Sequence, residues 1–285
     1  MRILVTNDDG VRAPGIAALA GAAVASGHEV IVVAPMIDYS GAGAAVGPVH
    51  SRDGVDYESH VIEALDVPAY GIDGPPALAV ILACVGAFGP RPDLVLSGIN
   101  HGINVGRSAM HSGTVGAALT AAHFGLRALA VSIRWGDDPV PWAVPARFAE
   151  VLVPIVADAP PQTVLNVNVP NLPMEAIRGV RHGHLGQGGT IRSAVHDTGP
   201  APAHEPVDGH LSLPPAGSGT IRLDLTTPGS PLEDDLESDA GLLAHDYVSV
   251  TPLVGVREAA TGVGEVLAEA LQTAHAAWQP TRTQA

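Results

Sequence analysis

Short apolar runs rich in β-branched residues alternate with alanine-rich runs over roughly the first 170 residues of the chain. The apolar runs are typical of strands covered on both faces, and they predict strands over Ile3–Thr6, Glu29–Ala34, Leu94–Leu96, Ala128–Ile133 and Val164–Val169. The runs between them predict helices, three of which are followed directly by glycine, over Ile16–Ser26, Pro75–Phe88, Gly113–Phe124 and Pro145–Ala157. The alternation predicts an α/β fold with a mostly parallel sheet flanked by helices, in which ligands bind beyond the carboxyl ends of the strands.

The pattern changes beyond Pro170. Residues 182–219 are rich in Gly, Pro, His and Thr and have little apolar periodicity, so they form either a long extended hairpin or loops. The acidic run Glu233–Asp239 is interpreted as a solvated surface rather than a metal site. Renewed periodicity predicts two more strands and a last alanine-rich helix, over Thr220–Leu225, Tyr247–Val250 and residues 259–278.

Charge and composition exclude several classes of function. The net charge of −15 and the sequence pI of about 5.1 argue against a nucleic-acid polymer as partner. All 14 basic residues are arginine, which excludes a P-loop or a Schiff-base enzyme, because both need lysine. The single cysteine, Cys84, is interpreted as a small buried hydrophobe, and a reducing cytoplasm is expected. No signal-peptide core and no long apolar span are found, so no membrane partner is expected.

Asp8 and Asp9 follow the first predicted strand in the sequence NDDG. Adjacent acids repel each other, and burial would raise the pKa of one of them. A divalent cation such as Mg²⁺ or Mn²⁺ removes this conflict, because it prefers hard oxygen ligands. The alternative is a simple turn, for which Asn-Asp-Asp-Gly is suitable on its own.

Three more polar stretches follow strands or begin a helix. Ser40 lies in a glycine-flanked loop after the second strand, and the sequence LSGINHGINVG places Asn100 and Asn104 in a glycine-rich loop after a later strand. Such groups offer oxygens to a metal and amides to an anion, unless these are ordinary surface loops. The segment Ser112–Thr114 begins a predicted helix, where unpaired amides and two hydroxyls bind an anion or simply cap the helix. Together these stretches have the composition of a metal-assisted phosphoryl-transfer site, with the cation held by Asp8, Asp9, Ser40 and Asn100.

Several ordered motifs resemble the SurE survival proteins, a family of metal-dependent 5′-nucleotidases. The motifs are NDDG, SG after the second strand, SGINxGxNxG, SGTVGAA, LNVNVP and VSVTPL. They cover residues 1 to about 170 and then Asp239–Leu253. The resemblance implies a Rossmann-like α/β catalytic core over residues 1–178. Over residues 179–285 it implies a β-rich arm with a β-hairpin, a return strand and a C-terminal helix, through which subunits form a homodimer or homotetramer.

The same resemblance implies the activity and its residues. It implies hydrolysis of nucleoside 5′-monophosphates, with one Mg²⁺ or Mn²⁺ per subunit bound by Asp8, Asp9, Ser40 and Asn100. Phosphate would lie near Asn104, Ser112, Gly113 and Thr114. In the mechanism expected here, Asp8 or Asp9 orients or deprotonates an attacking water that the cation activates. A covalent aspartyl phosphate on Asp8 is the less favoured alternative.

The sequence departs from the family in two places, and these leave alternatives open. His111 stands where the family commonly has tyrosine, and residues 181–219 lack the usual aromatic-rich stretch. A specialised phosphatase for an unusual nucleotide and a non-catalytic nucleotide-binding protein therefore remain alternatives. His101 and His111 are candidate substrate contacts. The histidines of the arm are not interpreted as a zinc site, because they lack a helical i, i+4 pair and a nearby cysteine; they are His182, His184, His196, His204 and His210.

Overall fold

The part of the chain that the structure, a computed structural model, describes contains eleven strands and five α-helices. That part comprises residues 1–47, 49, 53–62, 65–136, 138–187, 191–196, 221–225 and 235–256. The strands are β1 Arg2–Thr6, β2 Glu29–Pro35, β3 Tyr57–His60, β4 Ala69–Ile72, β5 Leu94–His101, β6 Arg127–Ile133, β7 Val164–Val169, β8 Gly179–His182, β9 Ile191–His196, β10 Ile221–Leu225 and β11 Tyr247–Leu253. The helices are α1 Pro14–Ala25, α2 Pro76–Cys84, α3 Gly113–His123, α4 Ala143–Asp158 and α5 Asp239–Ala244.

Nine of these strands form one sheet in the order β3-β4-β2-β1-β5-β6-β7-β11-β8. The six strands from β4 to β7 run parallel, while β3 is antiparallel to β4 and β11 is antiparallel to β7. Helices α1 and α4 pack on one face, and α2 and α3 pack on the other. The prediction of a mostly parallel sheet flanked by helices is therefore confirmed.

Burial on both faces explains why the central strands are continuously apolar. In β1, Ile3 and Val5 belong to the core beneath α1 and α4, whereas Leu4 belongs to the core beneath α2 and α3. All three are fully buried. A parallel strand with helices on both sides has no face on which water would favour a polar residue. Each continuous apolar run in the sequence therefore indicates a strand that packs against both hydrophobic cores.

The order of the strands creates a crevice beside β1. The chain passes from β1 to β2 on one side, and it later places β5 on the other side of β1. Such a reversal in strand order opens a space beyond the carboxyl ends, where α/β proteins bind ligands. Helix α1 packs tightly here, since a Cβ on Gly15 would lie only 2.0 Å from the carbonyl oxygen of Ile99 in β5.

Some element boundaries differ from those predicted. Strand β5 extends to His101, so Asn100 lies in the strand rather than in a loop as predicted. Strand β11 continues through Pro252, because beyond Val250 it has no pairing with β8 and the missing proline N–H is tolerated. The short strands β3, β4 and β8 were not predicted, since they lack a long apolar run.

Cys84 ends α2 earlier than predicted, and its thiol is buried. Burial raises the pKa of this thiol, which keeps it in the unreactive protonated form. The interpretation of Cys84 as a small buried hydrophobe agrees with this environment.

The arm contains one described strand pair. Strands β9 and β10 are antiparallel and form a separate two-stranded sheet, as the extended-hairpin alternative required, and the strand predicted over Thr220–Leu225 is confirmed. Residues Met1–Gly255 form one compact unit, while the division at residue 178 stays a prediction. The helix predicted over residues 259–278 lies outside the described residues. No helix within the described ranges is both long and apolar enough to cross a bilayer.

Candidate functional site

Asp8 is a buried acid that touches the start of α3. Its side chain is only 2% exposed, and its Oδ1 accepts a hydrogen bond of 2.6 Å from the Thr114 hydroxyl. A Cβ on Gly113 would lie 2.7 Å from the Cβ of Asp8 and 2.8 Å from its Oδ2. Only glycine therefore lets the helix terminus approach this carboxylate so closely.

Opposing influences act on the Asp8 charge. Burial raises the pKa of Asp8, while hydrogen bonds from the Thr114 side chain, from its own amide and from the Thr114 amide lower it. The neighbouring Asp38 carboxylate raises the pKa again. The positive end of the α3 dipole also favours a negative charge at this position. The structure thus aims helical donors at Asp8 and brings other acids close to it.

Asp9 has more unfavourable charge interactions than Asp8 and fewer hydrogen-bond donors to offset them. Burial, as the largest cause, and the Asp8 and Asp38 carboxylates together raise the pKa of Asp9 to about 7. Only a hydrogen bond from the His101 backbone N–H acts in the opposite direction. Asp38 was missed in the sequence, although it stands two residues before Ser40 in the same strand-end loop. Three carboxylates therefore share one edge of the sheet.

The NDDG stretch also has the turn chemistry that was its simpler interpretation. Gly10 has a φ of +103°, and its amide donates to Asn7 Oδ1 at 3.2 Å. Asn7 is fully buried. The turn holds the backbone, but it leaves the repulsion between the Asp8 and Asp9 carboxylates in place, so both interpretations apply.

The loop after β2 is fastened directly to the acidic pair. The Tyr39 amide donates to the carbonyl oxygen of Asp8 at 2.8 Å. The next residue, Ser40, is exposed, and its amide donates to Asp38 Oδ1 at 2.6 Å. Ser40 is therefore brought to the Asp8 turn, as the strand-end argument predicted.

Asn100 reaches the same edge from β5. Its side-chain nitrogen donates to the Gly102 carbonyl oxygen at 2.6 Å, which orients the amide. The neighbouring His101 donates its backbone N–H to Asp9. Asp9 and Asn100 thus lie on adjacent strand ends, β1 and β5, at the reversal in strand order.

Asn104 has a different set of partners. Its amide nitrogen Nδ2 donates to Ser132 Oγ at 2.9 Å, and its backbone N–H donates to Asn168 Oδ1 at 2.7 Å. Its carbonyl oxygen accepts from Asn166 and Asn168 at 2.7 and 3.1 Å. The LNVNVP motif therefore fixes the glycine-rich loop over β6 and β7, and the hydrogen bonds of Asn104 do not go to the acidic pair.

The segment before α3 closes the site from the other side. Ser112 Oγ accepts from the Val115 amide at 3.1 Å, which is ordinary N-capping. His111 is exposed, and its carbonyl oxygen accepts from the Gly43 amide at 2.9 Å. This bond joins the Ser40 loop to the start of α3.

Asp239 departs from the interpretation of the acidic run as a solvated surface, which holds for the exposed Asp235 and Glu237. Its side chain is fully buried and accepts from the amides of Gly106, Gly186 and Ala240 at 2.8, 3.0 and 2.9 Å. Burial raises its pKa, and these three amides lower it. One feature of the sequence indicated this burial. Ser238, directly before Asp239, is the N-cap of the apolar helix α5, so Asp239 lies in its first turn. Asp239 thereby ties the glycine-rich loop to α5.

The donors at the acidic edge fit a hard divalent cation. Across the described ranges, no three His, Cys, Asp or Glu side chains are arranged to hold a metal ion, so a cation site here needs hydroxyl and amide oxygens as well. Asp8, Asp9, Ser40 and Asn100 supply only oxygens, which Mg²⁺ and Mn²⁺ prefer. A cation would also relieve the repulsion that raises the Asp9 pKa.

The described histidines of the arm give no support to a zinc site. His184 is paired with Asp235 at 2.9 Å, and His182 is exposed on β8. The side chain of His196 and the whole of His204 and His210 lie outside the described part of the chain.

The chain is similar to known proteins over most of its length. A family model described as survival protein SurE matches residues 3–191. The 5′-nucleotidase SurE of Syntrophobacter fumaroxidans is 37% identical over 263 residues, covering 89% of this chain and 93% of that protein. The 5′/3′-nucleotidase SurE of Edwardsiella ictaluri is 35% identical over 258 residues, covering 89% of each.

A solved structure extends this similarity to the fold. The crystal structure of the SurE protein from Aquifex aeolicus superposes with a TM-score of 0.71 at 27% identity. The match covers 95% of this chain and 100% of that chain.

Proposed function

The chain belongs to the survival protein SurE family, and we propose that it is a metal-dependent phosphomonoesterase that hydrolyses nucleoside 5′-monophosphates to nucleoside and phosphate. The observation that carries the proposal is the acidic pair at the reversal in strand order, in which Asp8 is buried against a helix N-terminus and Asp9 is partly buried. The names of its relatives as 5′-nucleotidases point to the same reaction.

The cation would be held by Asp8, Asp9, Ser40 and Asn100, one per subunit, as Mg²⁺ or Mn²⁺. When bound, such a cation neutralises phosphate charge and lowers the pKa of a coordinated water. The two acids come from one turn, and the hydroxyl and the amide come from the ends of β2 and β5. Two observations support this cation site: the four residues offer only oxygen ligands, and negative charge is in excess around Asp9.

The start of α3 contributes positioning in this proposal. The Thr114 hydroxyl donates a hydrogen bond to Asp8, so its main role is to orient that carboxylate. Ser112 and the Gly113 amide would meet the phosphate oxygens, where the helix dipole favours an anion. Asn104 would act from the β6 side, on a loop that Asn166 and Asn168 hold in place.

Asp9 is the better candidate for the base that takes a proton from the attacking water. It is less buried than Asp8, so a water molecule can reach its carboxylate. Asp8 is less suited to act as a nucleophile, because its carboxylate is nearly inaccessible and accepts hydrogen bonds from α3. His101 and His111 are still proposed to line the substrate site beyond the phosphate.

The proposal extends to the setting of the enzyme. We place it in the cytoplasm, with a small nucleotide as substrate and neither a nucleic-acid polymer nor a membrane as partner. The net charge of −15 and the free, buried Cys84 support this setting. Assembly as a homodimer or homotetramer through the arm follows from the family resemblance.

Phosphate release tests the function. Enzyme stripped with EDTA is assayed on a panel of nucleoside 5′-monophosphates, one 3′-monophosphate and p-nitrophenyl phosphate, with and without Mn²⁺ or Mg²⁺. Metal-dependent release, highest for the 5′-nucleotides, is expected. No release from any compound with either metal would overturn the proposal.

A further inference from the structure

An exposed tryptophan lies beside the acidic site. Trp135 lies two residues after the end of β6, and the residue is 68% exposed. Its ring stacks on His101 with centroids 3.9 Å apart and planes inclined by 37°. Its position at the edge of the sheet where α/β proteins bind ligands makes the exposed ring available for stacking on a flat ligand.

The indole is close to the proposed cation ligands. A Cβ on Gly102 would lie 2.8 Å from the Trp135 Nε1 atom and 3.5 Å from the Asn100 Nδ2 atom, so both nitrogens border the same point. Gly102 has a φ of +138°, and its missing side chain leaves room for the indole. The neighbouring His101 donates its backbone N–H to Asp9. The Trp135–His101 stack is thus joined to the acidic pair through one short segment of β5.

A second tryptophan, Trp142, packs against the Trp135–His101 stack from behind. Trp142 contacts the His101 ring edge-on, with centroids 5.6 Å apart and planes at 70°. Trp142 is itself partly buried against α1, where its ring reaches within 3.0 Å of a Cβ placed on Gly15. Since Trp135 covers one face of His101, the ring surface offered to a ligand is that of Trp135.

We propose that Trp135 is the stacking platform for the nucleobase of the substrate, with His101 and Trp142 supporting it from behind. This inference rests on the proposed function, because it needs a phosphate at the acidic pair. A nucleoside monophosphate joins a phosphate to an aromatic base through one sugar. A phosphate site with an exposed indole beside one of its ligands fits that class better than it fits a sugar phosphate. Stacking tolerates any base, and the larger purines overlap more of the indole.

The kinetic test compares substrates with and without a base. The variant Trp135→Ala is assayed on AMP and on ribose 5-phosphate, and the ratio of the two kcat/KM values is compared with that of the wild type. The ratio is expected to fall about tenfold through the KM for AMP, because stacking contributes about 1–3 kcal/mol per base. Trp135→Phe keeps a ring and is expected to restore most of the ratio. Tyr57→Ala, which removes an aromatic ring that is 62% exposed on the distant edge strand β3, is the matched control and is expected to leave the ratio unchanged.

A binding test separates this inference from the hydrolytic function. Adenosine, which carries no phosphate and so needs no cation, is titrated into the EDTA-treated protein while tryptophan fluorescence is followed. The platform predicts quenching in the wild type that is lost in Trp135→Phe, whether or not phosphate is released in any assay. Unaltered quenching in Trp135→Phe, or a ratio within twofold of the wild type in Trp135→Ala, would overturn the inference.

Discussion

Asp239 and Asp8 are buried carboxylates and Asp9 is a partly buried one, yet their surroundings differ. Asp239 accepts from three backbone amides and has no acid among the groups that raise its pKa. Asp9 has one amide, from His101, and two carboxylates, Asp8 and Asp38, that oppose its charge. The protein's own amides thus offset the burial of Asp239, whereas the repulsion between Asp9 and its neighbouring carboxylates is not offset.

This difference assigns different tasks to the two sites. A carboxylate surrounded by amides stabilises the loops whose N–H groups it accepts. Neighbouring carboxylates with too few donors are a cost to the fold unless a cation joins them. Asp239 therefore has the surroundings of a structural residue, and the Asp8–Asp9 pair is where we propose that the chemistry takes place.

Replacing the acidic pair should have the largest effect on activity. Asp8→Asn and Asp9→Asn are each expected to lower turnover of nucleoside monophosphates about a thousandfold, because a ligand or base is lost while the volume is kept. Phosphate release measures the loss, and circular dichroism checks that the fold persists. Near-normal turnover in both variants would remove the proposed cation site.

Truncation of Asp239 should damage stability instead. Asp239→Ala leaves three buried amides without their acceptor and is expected to lower the free energy of unfolding by about 4 kcal/mol. Asp239→Asn keeps one acceptor oxygen and is expected to cost about 1–2 kcal/mol. Urea denaturation with and without Mg²⁺ measures both. A cost below about 1 kcal/mol for the alanine variant would contradict the structural role.

The metal-free protein should lose stability as the pH rises. Native Asp9 holds its proton up to a pKa of about 7, whereas the unfolded chain releases it near 3.8. Between those values the native state binds more protons, so raising the pH lowers the free energy of unfolding. At about 1.4 kcal/mol per pKa unit, the full change is about 4 kcal/mol at most.

Urea denaturation at pH 5 and pH 8 in EDTA measures this change, and Asp9→Asn is the control for every other titrating group. The wild type is expected to lose stability relative to Asp9→Asn at pH 8 and to regain it when Mn²⁺ is added. Equal pH dependence in the two proteins would show that Asp9 carries no such conflict.

The close contact between α3 and Asp8 gives the smallest predicted effect. Gly113→Ala places a Cβ 2.8 Å from Asp8 Oδ2, so the carboxylate must shift, and turnover is expected to fall about tenfold. Gly21→Ala in α1 is the matched control, since its nearest neighbour is Leu65 Cδ2 at 3.9 Å. That change is expected to stabilise the protein by about 0.5–1 kcal/mol with normal turnover. Equal turnover in the two variants would contradict the packing argument.

The sequence predicts the parallel core and much of the acidic edge for one physical reason. Strands buried on both faces are continuous apolar runs, so their ends are visible, and polar residues that follow them must meet at one edge. Asp8, Asp9, Ser40 and Asn100 were found in this way. Their position at that edge agrees with the structure, while their roles stay proposals.

Other features depend on contacts between distant parts of the chain. The burial of Asp239 requires Gly106 and Gly186, which are far from it in sequence. The effect of Asp38 on Asp9 depends on the path of the loop after β2. Strands β3 and β8 lack a long apolar run, because they lie at the two edges of the sheet. Apart from the Ser238 cap just before Asp239, local patterns carry none of this information.

The most direct test of the central claim is a calorimetric titration of the EDTA-treated protein with Mn²⁺ at pH 8, in the wild type, Asp9→Asn and Asp239→Asn. The account predicts one site per chain in the wild type and in Asp239→Asn, and loss of that site in Asp9→Asn. Binding of Mn²⁺ to Asp9→Asn with the stoichiometry and affinity of the wild type would contradict it.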